Sequence, residues 1–273
     1  MAGPQSPFRR RAQQRIRRQL ARSRAPKHPG GPETQLKLAT DRLMRAWHAH
    51  LKHAALIIAP HRRRLRRQDA TASETSTLSR TWNYALQLLH TSPFKRLVDA
   101  AAKRTADSAA AQTEEALALD DYSPNLAKES NDLSSDVFAQ VSGKMRDSIA
   151  RAENILDEFD PDEDDLDTLA SDLDDGLAGI HGGAIALVSV AFGYGFAQLV
   201  KSAQQDAGVS QYTWMAQRDS VVRPEHVALD DGAHYFWDDP PLSARDSSSG
   251  EDCHPGEDYN CRCVASPVPP DED

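Results

Sequence analysis

Aromatic side chains are scarce in this 273-residue chain, at 6%, and apolar residues reach only 39%. So little bulk suits an elongated, helix-rich chain with exposed parts better than one compact catalytic domain. Cysteine is nearly absent. The three that exist, Cys253, Cys261 and Cys263, all fall near the C-terminus. Arg9, Arg10 and Arg11 are followed by no uninterrupted apolar core and no cleavage site, so no secretory leader is expected, and the cysteine count fits a reducing compartment. A glycine-rich phosphate loop, a nucleophile elbow and a Ser/His/Asp set that organises a pocket are all missing, and no enzyme is expected from them. The uncharged run Ala184 to Val200 has seventeen residues, the lower limit for crossing a bilayer. Ser189, Gly193, Gly195 and Gln198 dilute it. It reads as the buried central helix of a bundle, with no membrane partner.

What is present is charge, distributed unevenly. Residues 1–67 hold 18 Lys/Arg against Glu33 and Asp41, a balance of +16, which leaves −25 for the rest of a chain whose net charge is −9. One end seeks phosphate or acidic surface, and the other repels it. Residues 1–32 read as a basic flexible arm, because Pro4, Pro7, Pro26, Pro29 and Pro32 favour extended chain. Arg9, Arg10, Arg11, Arg15, Arg17 and Arg18 in the arm, with Arg62, Arg63, Arg64, Arg66 and Arg67 further on, fit non-specific contact with nucleic acid through phosphates. A solvated tail, or a peptide ordered on an acidic protein, fits the same composition.

Residues 33–207 read as a helical body. Leu36, Leu43, Trp47, Leu51, Ala54 and Ile58 make one stripe of a helix over about 34–59. Helices are expected over 78–89 and from Phe94 to about Leu119. The clearest periodicity is Leu133, Val137, Val141, Met145, Ile149, Ala152, Leu156 and Phe159, in steps of three or four, which marks a long amphipathic helix. Asp160 followed by Pro161 reads as the N-cap and first position of the next helix, with Leu166, Leu169, Leu173, Leu177 and Ile180 on its buried face.

From Gly208 the period turns strand-like, and residues 208–268 read as a small loop-rich α+β module before an acidic tail at 269–273. Short strands are expected around Val209–Trp214, His234–Trp237 and Arg262–Val268. A unit of this size benefits from a staple. Cys253, Cys261 and Cys263 with one imidazole, His226 preferred, would complete a tetrahedral structural zinc site. A disulfide from Cys253 to Cys261 or Cys263, or thiols packed against Trp214 or Trp237, are the alternatives. Asp219, Arg223 and His226 could assemble a general base with an orienting acid, or form a polar network in which Asp219 pairs with Arg223.

The order of residues in this module resembles a known signature. Tyr212 and Trp214 lead to Asp219, Arg223-Pro224 and His226. Leu229-Asp230 and Gly232 follow, then Pro255-Gly256 and finally Asn260-Cys261-Arg262-Cys263. Over about residues 165–268 this is similar to the phage Mu F-like minor head protein (head morphogenesis) family. The chain departs from it in the apolar lead-in helix and in Glu257-Asp258, where a second His-Pro often sits. The resemblance implies a minor capsid protein of a tailed phage, located in the capsid interior or at the portal vertex and in host cytoplasm during assembly. It implies association with the portal protein, with the major capsid or scaffolding protein, and with phage DNA during packaging or genome delivery. The expected fold class is mainly α, an elongated helical body with the small C-terminal module. A metal-dependent nuclease or toxin-like C-terminal domain carried in the virion is the alternative.

Overall fold

Among the described residues, apolar stripes at helical spacing become four long helices: α1 (Gly30–Ile58), α2 (Pro93–Leu117), α3 (Ala127–Glu158) and α4 (Leu166–Asp206). A computed structural model of the chain describes residues 30–59, 80, 93–119, 122–160, 163–217, 222–243, 251–258 and 261–269. The basic arm, the 62–67 arginine cluster and most of the expected 78–89 helix lie outside those residues. The chain is mainly helical, with a small α+β part at the C-terminus.

Internal packing separates two units. The first is built from residues 33–101 and 134–189 and is all helical. Its core has two clusters. Met44, Trp47 and Leu51 of α1 pack with Met145 of α3 and Ala184 of α4. Ala55 and Ala59 pack with Ala152, Ile155, Leu156, Phe159, Leu169 and Leu173. Several of the polar groups that this packing buries find partners. The Trp47 indole N–H donates to the Met145 carbonyl (3.3 Å). Ser148 Oγ already donates to the Lys144 carbonyl (2.9 Å), so His48 Nε2 is the donor in the 3.0 Å bond between the two side chains. His181 pairs with Asp41 at 2.9 Å. At Gly176 a Cβ would meet Ile155 Cδ1 at 2.6 Å, so a bare Cα lets α4 approach α3 here.

Two readings of α4 need correction. The expected cap, Asp160, does not start it. The helix begins at Leu166, where Asp165 Oδ1 accepts the Thr168 N–H at 2.6 Å, while Asp160 and Asp164 close a separate turn. Nor are 166–180 and 184–200 separate helices. One helix runs through Gly182 and Gly183, because about 1 kcal/mol per helical glycine is small against the apolar burial on either side. By length and composition α4 could cross a membrane, but half of its most apolar window is buried.

The second unit takes residues 102–133 and 190–273. In it Tyr122 donates to the Ala203 carbonyl, Ser202 donates to Glu129 (3.3 Å), and Gly195 faces Leu133. Burial, aided by the charge of Asp206, pushes the Tyr122 phenol up to about 12. After α4 comes a helix stop: Gly208 takes φ +77°, its N–H bonds the Gln205 carbonyl, and the Val209 N–H bonds that of Gln204. The chain then enters β1 (Gln211–Met215), α5 (Pro224–Leu229), β2 (His234–Phe236), the two-residue β3 (Leu242–Ser243) and β4 (Glu251–Asp252), and β5 (Val264–Val268). The main sheet is antiparallel in the order β2-β1-β5, with Tyr212 opposite Tyr235 and Pro267, and Trp214 opposite Ala265. β3 pairs β4 as a separate ribbon. The three strands expected from sequence are present within a residue or two at most ends; α5 and the ribbon were not anticipated.

Candidate metal centre

Strand β1 alternates, so Tyr212 and Trp214 point to one buried face. Each anchors one polar cluster. Helix α5 starts with Pro224 at its first turn and holds His226 almost completely buried, its ring 5.2 Å edge-on from Trp214. Two successive turns deliver the cysteines: the Glu257 N–H bonds the His254 carbonyl, and the Cys261 N–H bonds that of Asp258. Cys261, Cys263 and His226 thereby meet, with their ligand atoms all within 4.8 Å of one another. His226 Nδ1 lies 3.4 Å from Cys261 Sγ and 3.6 Å from Cys263 Sγ.

Backbone donors and the neighbouring thiol surround the nearer sulfur. The backbone N–H groups of Gly256 (3.3 Å) and Cys263 (3.5 Å) both aim at Cys261 Sγ. The Cys261–Cys263 hydrogen bond holds the Cys263 thiol below its ordinary value, against the opposing effect of burial. The same bond, with burial, pushes Cys261 up. On the far side of the imidazole, Asp258 Oδ2 sits 3.5 Å from His226 Nε2 and accepts a 2.5 Å bond from Arg223 Nη1.

Tyr212 anchors the second cluster. Lys201 Nζ lies 3.1 Å from His254 Nε2, and a lysine ammonium only donates, so Nε2 accepts and Nδ1 carries the proton toward Tyr212 Oη at 2.9 Å. Burial lowers the His254 pKa, consistent with a neutral ring. Glu257 ties the turn to α4 by accepting the His254 backbone N–H (2.8 Å) and the Gln198 amide (2.7 Å). Gln204 donates to the Ala265 carbonyl of β5 (2.9 Å). Trp237 stacks at a tilt against Tyr212 and His254.

Of the four ligands expected from sequence, the fold brings His226, Cys261 and Cys263 together. Cys253 is not in that group. It is half-buried against the edge of the apolar cluster of Trp214, Ala216, Cys261 and Cys263. None of the three cysteines is in a disulfide. Trp214 is a core residue. Gly232 takes φ +85° in the turn before β2, and Arg262 is exposed. Asp219 and Asn260 lie outside the described residues, as do Arg9, Arg10, Arg11, Arg15, Arg17, Arg18, Arg62, Arg63, Arg64, Arg66 and Arg67. Arg223 engages Asp258. Sequence reasoning passed over Asp258, Glu257 and Lys201. The Glu257-Asp258 pair inside the turn leading to Cys-x-Cys was the available signal, since an acid next to a buried histidine commonly fixes its tautomer.

Residues 183–266 match the model of the family described as phage Mu protein F like protein. A curated relative, an uncharacterized protein of Haemophilus influenzae, is 36% identical over 72 residues. That alignment covers 26% of this chain and 14% of the relative, so this chain matches only a small share of the relative's length. No solved structure matches the chain.

Proposed function

We propose that this chain, whose residues 183–266 form a phage Mu protein F-like segment, is a minor head protein that acts in head morphogenesis of a tailed phage. One observation carries the reading: the matched residues coincide with the part of the fold that joins the end of α4 to the three-stranded sheet and the His226/Cys261/Cys263 group. In this reading the module is a docking unit, and the burial of all three grouped side chains supports a structural role for them. The portal protein is the partner, with the major capsid or scaffolding protein as further contacts during assembly, and the protein stays in the virion, in the capsid interior or at the portal vertex. The basic arm and the Arg62–Arg67 cluster meet packaged DNA through its phosphates, while the acidic remainder stays off it.

The test is co-expression with the cognate portal protein, followed by size-exclusion chromatography with light scattering at low and high salt. Co-elution at a defined ratio that survives high salt is expected. Separate elution under both conditions would overturn the portal assignment.

A further inference from the structure

We propose that His226 Nδ1, Cys261 Sγ and Cys263 Sγ bind a single zinc-class ion, with Asp258 and Arg223 as its outer support. Three independent features of the geometry point to it. The first is spacing. A tetrahedral ion about 2.0 Å from nitrogen and 2.3 Å from sulfur puts the N···S edge at roughly 3.6 Å. The two observed edges are 3.4 and 3.6 Å. Both sulfurs thus already stand at ligand-edge distance from one nitrogen.

The second is the orientation of the ring. Asp258 occupies the Nε2 side, so the ring proton sits there and the Nδ1 lone pair faces the two sulfurs. Metal-bound histidines commonly donate their other N–H to a carboxylate in this way, which fixes the ring and raises its basicity. Asp258 is itself held in its buried position by Arg223, 2.5 Å away.

The third is charge. A divalent ion with two thiolates and a neutral imidazole is uncharged as a unit, and Asp258 with Arg223 is uncharged as another. On binding, both thiols lose their protons to solvent, no electron is transferred, and the two backbone N–H groups already aimed at Cys261 Sγ serve the thiolate. Buried thiolate and imidazole donors favour a zinc-class ion over magnesium or calcium. Cys253 stands outside the set, so the described residues supply three ligands.

The full-length chain, dialysed against chelator and then titrated with zinc, is expected to take up one equivalent. Substituted with cobalt, it is expected to give tetrahedral d–d absorption and thiolate charge transfer of two thiolates per ion. Cys261→Ser and Cys263→Ser are expected to lose both signals. Because those variants can also unfold, Asp258→Asn is the second arm. It keeps all three ligands and is expected to weaken zinc about ten- to a hundredfold with helix content unchanged by circular dichroism. Cys253→Ser is expected to keep the metal. A folded wild-type chain that takes up no zinc would overturn the site. Loss of metal from a folded Cys253→Ser chain, or charge transfer of three thiolates, would overturn the ligand set.

Discussion

Gly256 and Ala197 touch so closely that a Cβ on the glycine would lie 2.9 Å from the Ala197 Cβ. Gly256 also takes φ +88°, a conformation that L side chains adopt only at a cost. The turn that carries Cys261 is therefore fitted onto α4 at a point where no side chain has room. Gly256→Ala is expected to destabilise the protein by about 2–4 kcal/mol from strain and overpacking together. Gly182 makes the contrast: it is helical, and a methyl group there would have nothing within 4 Å among the described residues. Gly182→Ala is expected to stabilise by about 0.5–1 kcal/mol. Urea unfolding of the two variants measures both signs.

Tyr212→Phe removes the hydroxyl that meets His254 Nδ1 and leaves that buried N–H without its acceptor. A loss of about 1–2 kcal/mol is expected, with the ring packing against Trp237 kept. A thermal melt that does not move would show that the Lys201–His254–Tyr212 chain carries no stability.

His48 gives stability a pH dependence. Burial, with His181 beside it, lowers its pKa from 6.5 to about 4. As pH falls through that interval the unfolded chain takes up a proton that the folded chain refuses. The His48 contribution is thus fully present above pH 6.5 and is lost toward pH 4. The slope is at most about 1.4 kcal/mol per pH unit. Urea midpoints at about pH 7 and about pH 4.5 are expected to lie further apart in the wild type than in His48→Gln. Equal separations would assign the acid sensitivity elsewhere.

Deleting residues 1–32 removes nine Lys/Arg and no acid before Gly30. If the arm neutralises phosphates, log K for DNA falls less steeply with log salt in the truncated chain, by roughly 0.9 for each phosphate the arm had neutralised. An unchanged slope would place the DNA-binding residues outside the arm.

The helices were legible because their cores are periodic: Leu133 to Leu156 on α3 and Leu36 to Ala54 on α1 state their own faces. The start of α4 was not. Six acids stand from Asp160 to Asp167, several can cap, and only the position of Leu169 and Leu173 against Phe159 selects Asp165. The sheet was legible from Tyr212, Trp214 and the turn residues around Gly232. In the candidate centre, His226, Cys261 and Cys263 could be named from residue type, but type alone did not separate Cys253 from them. That distinction comes from the two turns at 254–257 and 258–261, which carry Cys261 inward and leave Cys253 behind. Asp258 was passed over for a related reason: its value lies in His226, a neighbour far away along the chain.

Strand order has a consequence for synthesis. β1 is the middle strand, and its two neighbours arrive at very different times: β2 comes soon after α5, whereas β5 emerges only once the ribbon and both turns have been made. Until Val264–Val268 leaves the ribosome, one full edge of β1 has open hydrogen-bonding groups beside Tyr212 and Trp214. Such an edge invites pairing with a second nascent chain. The module is consequently most exposed to aggregation just before its completion, and a premature stop anywhere after β2 and before β5 would make that interval permanent.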